Sequence, residues 1–233
     1  MLSPRFIDLH CERTAPGFWD EPVNGVGNAA FLLAAALALP AALGWERRDP
    51  LELLPIALGG CIGIGSFLFH TLASPVAELA DVIPIWSIVT LYVLAVIWRT
   101  TGQNIVRTAR KAAIAAAAAC IAAWLGGQSA TTGADPAPMR LNGSLQCLPA
   151  LIALAAFAGI ALARRHPARR LVAGATLVFF LSLLFRTIDL QVCAATGGVG
   201  THFLCHLLNG LMVGLLLQAL VFHLPPVRRD PES

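Results

Sequence analysis

Seven stretches of this 233-residue chain are candidate membrane spans, each read against the roughly 20 mostly apolar residues that crossing a bilayer as a helix requires. They run over about 23–45, 51–72, 80–98, 112–126, 145–163, 171–190 and 200–224. The fourth is the shortest and is rich in alanine. Hydrocarbon admits only structures whose backbone polar groups are satisfied internally, and apolar runs of this length satisfy them as helices. Composition agrees: 57% of residues are hydrophobic and 12% charged, with a mean hydropathy of +0.73. A soluble domain carries about 25% charged residues to cover its surface. The chain therefore reads as an all-α membrane protein, a seven-transmembrane helical bundle forming a single domain over residues 1–233.

The basic residues orient that bundle. With the N-terminus outside, the inside segments hold Arg47, Arg48, Arg99, Arg107, Arg110, Lys111, Arg164, Arg165, Arg169, Arg170, Arg228 and Arg229. The outside segments hold only Arg5, Arg13 and Arg140, and Arg186 falls within the sixth span. Positive charge gathers on the cytoplasmic side, so the expectation is N-terminus outside and C-terminus inside, with 225–233 a short cytoplasmic tail. The basic clusters lack interleaved aromatics, and the net charge is only +3. Nucleic acid is thus not expected as a partner, and nothing in the sequence implies a protein partner. Residues 1–22 are polar, with Asp8, His10, Glu12, Arg13, Asp20 and Glu21 and no apolar core of a cleavable signal peptide. They are expected to stay as an outer segment. The Ala- and Arg-rich composition hints at a bacterial chain, for which the location would be the inner (plasma) membrane and the outside the periplasm.

Ionisable groups inside spans are costly and mark function by default. Here the span order brings them to one face of the membrane. Ser66 and His70 lie at the outer end of span two, Asp81 at the outer start of span three, Arg186 and Asp189 at the outer end of span six, and His202 and His206 at the outer start of span seven. His202 and His206 are four apart, so a helix projects both imidazoles from one side. Alone, such a pair is as readily two core histidines. A third histidine at matched depth, His70, points instead to a catalytic zinc site with three nitrogen ligands and one open position. No H-E-x-x-H glutamate is present. Asp81 is then the candidate base for a water whose pKa zinc lowers toward about 7. Ser66 sits one helical turn before His70 and could donate to a developing oxyanion; the bland alternative is a hydroxyl bonded back to the preceding turn. Arg186 and Asp189 are placed either to bind a polar headgroup or to pair with each other, and pairing is the cheaper arrangement. His166 and His223 read as interfacial, and His10 is unassigned. Cys61, Cys120 and Cys205 lie inside spans as small apolar groups, with Cys147 near the start of the fifth.

At this point the motifs resemble those of the alkaline ceramidases and their bacterial ceramidase-like relatives, seven-span zinc amidases grouped with adiponectin-type receptors. The pieces that carry the resemblance are D-L-H-C-E-R with F-W-D-E-P-V-N-G-V-G-N, G-S-F-L-F-H with Asp81 eleven residues after His70, R-T-I-D-L-Q-V-C, and T-H-F-L-C-H-L-L-N-G. It spans about Asp8 to Asn209. The resemblance implies zinc on His70, His202 and His206, with Ser66 and Asp81 as the catalytic pair. It also implies calcium held by Asp8, Glu12 and Glu21, with Asn24 and Asn28 nearby. This chain departs from the eukaryotic members at Leu9 and Thr14. Read from the residues alone, the same carboxylates suit either a hard cation or a solvated acidic segment capping the first helix. A disulfide between Cys11 and Cys193, both in outside segments, is implied as well.

The function that follows is hydrolysis of the N-acyl amide of ceramide or a related membrane lipid, giving a fatty acid and a sphingoid base or amine. The first alternative is a non-catalytic, zinc-containing lipid receptor or binding protein. A transporter needs a polar path through both leaflets, and the inner halves of the spans read as nearly free of ionisable residues.

Overall fold

The computed structural model describes residues 7–15, 17–44, 49–101, 106–107, 110 and 140–224. Among them are helices and turns and no strand. Six helices are long and apolar enough to cross a membrane: Pro22–Gly44, Pro50–Leu72, Pro75–Thr100, Leu141–Ala163, Arg169–Ile188 and His202–His223. They match six of the seven expected spans, and they are the helices of a multi-pass membrane protein by length and composition. The expected span over 112–126 and the tail over 225–233 lie outside the described residues, as do Arg5, Arg47, Arg48, Lys111 and Cys120.

Local chemistry sets the helix boundaries. The first span is α1 (Pro22–Gly27) followed by α2 (Ala29–Gly44), with a turn at Asn28 between them. Pro22 opens α1 where its missing N–H costs nothing. α3 (Pro50–Leu72) starts the same way at Pro50, capped by Asp49 Oδ1, which accepts from Leu51 N at 2.9 Å. It stops at Ala73, whose left-handed backbone (φ 46°) turns the chain while its N–H donates to the Phe69 carbonyl. Ser74 then caps α4 (Pro75–Thr101), its Oγ accepting from Ala77 N. Span three therefore begins at Pro75 rather than near 80. The reason is that Glu78 and Asp81, which make this stretch look like a polar loop, are carried within the helix, and Asp81 is well inside it. A 3₁₀ segment, Arg140–Cys147, leads into α5 (Leu148–Ala163), followed by α6 (Arg169–Ile188) and α7 (His202–His223).

In space the neighbours run α4, α3, α2, α7, α6, α5, with α7 also touching α3. α2, α3, α4 and α7 share the main core, built from Phe31, Ala34, Ala38, Ala42, Ile56, Ile62, Ile88, Val213, Leu217 and Val221. Helices in lipid gain nothing from hiding apolar surface from one another, so close backbone approach through small residues has to hold them. A Cβ on Gly65 of α3 would run into the Ala80 carbonyl of α4, and one on Gly210 of α7 into Ala30 of α2. These contacts set the distance between the two helices that carry the histidines and their neighbours.

The end of the bundle away from the histidines holds an ionic cluster. Arg99 Nη2 donates to Asp49 Oδ2 at 2.6 Å and Glu52 Oε1 at 2.9 Å, while Nη1 donates to the carbonyls of Leu220 and Leu224 at the end of α7. Arg99 is thus no loop charge. It sits in the last turns of α4 and ties α3, α4 and α7 together, with Glu52 buried beside it. This end of the bundle is less empty of ionisable groups than the sequence suggests.

Candidate metal centre

The site is assembled at the start of α7, and it begins with a cap supplied from elsewhere. Thr201, the N-cap residue of α7, makes no side-chain cap of its own. Asp189, 0% exposed, does so instead: its Oδ1 accepts from Thr201 N at 2.7 Å and His202 N at 2.9 Å, and its Oδ2 from Cys11 N at 3.0 Å. A carboxylate at a helix N-terminus satisfies orphan donors and complements the helix dipole. Gly200 makes this approach possible, since it holds φ +72° and a Cβ there would collide with Asp189 Oδ1 and Cys11 Cβ. The disulfide between Cys11 and Cys193 closes the same junction across 182 residues of sequence. The expected pairing of Arg186 with Asp189 is corrected. Three backbone donors take the Asp189 oxygens, and Arg186 Nε donates to the Asn142 carbonyl at 3.1 Å, with Asn142 Nδ2 returning a bond to the Arg186 carbonyl at 3.0 Å.

With α7 held in this way, His202 and His206 turn inward toward His70 near the end of α3. Both are buried, as is His70. Glu21 fixes the His70 ring: its Oε2 bonds His70 Nδ1, and the same carboxylate accepts from Arg13 Nε at 2.5 Å and Asn24 Nδ2 at 3.1 Å. A carboxylate acceptor places the proton on Nδ1 and leaves the Nε2 lone pair free, as in carboxylate–histidine–metal arrangements. That Nε2 lies 2.8 Å from His206 Nε2. Arg13 completes the clamp by donating through Nη2 to the His70 carbonyl at 2.6 Å. Burial alone would raise the Glu21 carboxyl, but its bonds from His70, Asn24 and Arg13 hold it below the ordinary range.

The structure adds a residue the sequence left unassigned. His10, 5% exposed, lies flat on His202 with ring centres 3.6 Å apart and 14° between planes, and 5.2 Å from the His70 ring. One nitrogen from each of His10, His70 and His202 lies within 4.8 Å of the others. This buried three-histidine cluster could hold a metal ion, and His206 joins it through His70. Burial, reinforced by the charges of His70, Arg186, His206 and Arg13, pushes the His10 pKa well below its usual value, so the ring is a neutral donor. The donor set fits such an ion. His10 Nδ1 and His202 Nδ1 are buried with no hydrogen-bond partner, while the facing His70 and His206 Nε2 atoms, 2.8 Å apart, share one proton. Neutral imidazoles suit zinc, copper, iron or nickel. A signal for His10 did exist in the sequence: it precedes Cys11, and a Cys11–Cys193 bridge delivers it to the loop before α7.

Ser66, 2% exposed, is on α3 one turn before His70, and its hydroxyl is directed at the Asp81 carboxylate across the α3–α4 contact. Asp81 Oδ1 is buried and unpartnered. Thr71, Ser87 and Thr90 bond back to the preceding turn of their helices, whereas Ser66 makes no such bond. The three expected calcium ligands are not gathered into a cage. Glu12 accepts from Val23 N and Asn24 N, both at 2.8 Å, and so caps α1; Glu21 is engaged as described; Asp8 is exposed. A calcium ion takes six to eight oxygens, and here those of Glu12 and Glu21 already accept from backbone and side-chain donors. Asn24 and Asn28 are buried next to them, each with its side-chain oxygen unpartnered. No protein-family model matches the chain, and no curated protein matches it.

Proposed function

We propose that this protein is a zinc-dependent intramembrane amidase that hydrolyses the N-acyl bond of ceramide or a related membrane lipid. The observation that carries the reading is the meeting of imidazoles from the N-terminal segment, α3 and α7 in one buried cluster, with Ser66 one helical turn before His70 and, on the adjoining α4, an Asp81 carboxylate whose Oδ1 is buried without a partner. Zinc on His70, His202 and His206 would supply carbonyl polarisation and a water acidified toward about pKa 7.

The chain's own residues supply the rest. Glu21 holds the His70 Nδ1–H and so keeps Nε2 turned to the cluster. Asp81 takes the proton of the attacking water on a carboxylate oxygen and returns it to the leaving amine nitrogen. Ser66 Oγ–H donates to the oxygen that gains charge as the amide carbonyl is attacked. Among the described residues, α4 exposes Val82, Ile83 and Trp86 beside Asp81, an apolar face that supports approach of an acyl chain from the lipid side. The positive-inside distribution supports a site at the outer face, periplasmic in a bacterium.

His10 favours one second reading. A structural zinc is closed by four protein ligands, and a fourth imidazole beside the cluster is what a non-catalytic zinc-containing lipid receptor would have. Asp81→Asn separates the two. In an amidase it abolishes fatty-acid release while zinc stays bound at the wild-type stoichiometry. Full activity in that variant would remove Asp81 as the base and the mechanism with it.

A further inference from the structure

Arg186 has no part in the proposed reaction, yet it stands at the level of the histidines. It lies one turn before Asp189, whose carboxylate caps α7 at His202. Its charge is near enough to act on His10, Asp81, His202 and His206. Those groups come from the N-terminal segment, α4 and α7, so the guanidinium lies toward the middle of this end of the bundle, and it is only half-buried. One edge of it is fixed. Nε donates to the Asn142 carbonyl, and the Asn142 carboxamide returns a bond to the Arg186 carbonyl. Leu141 and Asn142 both hold left-handed backbone, at φ 56° and 49°, which non-glycine residues keep only under tertiary constraint. The other edge, Nη1 and Nη2, has no partner among the described residues.

The two buried arginines of the bundle are treated differently. Arg13 bonds Glu21 and Arg99 bonds Asp49 and Glu52, each with backbone carbonyls besides. Asp189, the carboxylate nearest to Arg186 in sequence, is spent on backbone donors. A cation set among membrane helices without a counter-charge is costly and marks a site of function. The free end of a guanidinium presents two N–H groups side by side, matched to the two oxygens of a carboxylate or phosphate. We propose that Arg186 binds an acidic group of the substrate, a carboxylate or phosphate within a few atoms of the scissile amide. The inference rests on the amidase reading above and narrows its substrates to acidic N-acyl lipids. Arg186 is then a specificity residue and moves no proton.

The test compares amides that share an acyl chain and differ in charge. N-palmitoylglycine against N-palmitoylethanolamine sets a carboxylate against a neutral hydroxyl, and ceramide 1-phosphate against ceramide does the same for phosphate. Full-length, zinc-loaded protein in detergent is assayed for fatty-acid release, and equilibrium binding of each amide is measured in the Asp81→Asn background. The protein is expected to favour the acidic member of at least one pair by ~10-fold or more, in kcat/KM and in affinity. Arg186→Gln is expected to reduce that preference by about 10–100-fold, the scale of hydrogen bonds to a charged group. The preference is the readout because a structural loss lowers both members of a pair alike. No preference in either pair would overturn the assignment. So would equal losses on acidic and neutral amides in Arg186→Gln, since the charge would then serve the fold or the reaction itself. If no amide is cleaved but a binding preference is present and disappears with Arg186→Gln, the Arg186 site stands and the amidase reading falls.

Discussion

Asp189 offers the sharpest test of how the site is built, because its loss strands donors that nothing else can reach. Its two oxygens accept three backbone N–H bonds, from Cys11, Thr201 and His202, at 2.7–3.0 Å in a fully buried position. Hydrogen bonds to a charged group contribute about 1.5–3 kcal/mol each, and an orphaned buried donor costs about 1–3 kcal/mol. The three share one carboxylate and do not add fully, so Asp189→Ala should cost roughly 3–6 kcal/mol, with a further ~0.3–1 kcal/mol for the lost charge at the α7 N-terminus. At about 2–4 °C per kcal/mol for a chain of this size, the unfolding midpoint should fall by at least ~6 °C. Asp189→Asn keeps one carbonyl oxygen for Thr201 and His202 but turns an amide NH₂ toward Cys11 N, so about half the loss is expected. The assay is intrinsic fluorescence on heating in detergent, with the Cys11–Cys193 bridge verified intact by mass. An Asp189→Ala midpoint within about 2 °C of wild type, well under one charged hydrogen bond, would refute the clasp. The same result would remove the explanation for how α7 presents His202.

Other perturbations probe separate parts of the account. Glu21→Gln leaves buried Arg13 without its ion pair and frees the His70 ring; it should destabilise by about 3–5 kcal/mol and weaken metal binding on the order of 10–100-fold, both read in one thermal and chelator-competition series. Arg99→Ala strands Glu52 and Asp49 at the far end and should cost a similar ~3–5 kcal/mol, yet leave metal affinity unchanged; loss of metal there would show that the two ends are coupled. Asp20 gives a pH signature. Burial acts to raise its carboxyl, but bonds from Ala15 N, Thr14 N and the Thr14 hydroxyl together hold it below the ordinary 3.8. Its contribution is therefore complete above that value and lost as pH falls through the lower folded value. Hydrogen exchange should find the Thr14 and Ala15 amides equally protected across neutral and mildly acidic pH, with protection fading only in strong acid and absent in Asp20→Ala.

Much of this arrangement was legible in the residues, and the gaps have physical causes. Apolar length alone located the six described helices, because a membrane leaves the backbone no other solution. The start of α4 was misplaced because Glu78 and Asp81 mimic a loop, while the true signal, Ser74 followed by Pro75, is a cap that apolar counting ignores. His70, His202 and His206 were readable from depth and helical spacing. His10 was not, since it has no helical register and reaches the cluster through the bond between Cys11 and Cys193. Asp189 was misread for a different reason. A side-chain pattern suggests a side-chain partner, here Arg186, whereas its true partners are backbone N–H groups exposed by a helix end and a loop that only the folded chain brings together. Arg99 illustrates the reach of a long side chain: its sequence position reads as interfacial, but its guanidinium lies inside the bundle.

The central claim is that the histidine cluster holds a metal for lipid-amide hydrolysis, and the most direct measurement is product formation. Purified, detergent-solubilised protein with zinc at full occupancy is incubated with ceramides and other N-acyl lipids, and free fatty acid is followed by mass spectrometry beside His206→Ala. The account predicts release from at least one lipid class and none from the variant. No release from any lipid by the zinc-loaded wild type would contradict it and would leave the lipid-receptor reading in its place.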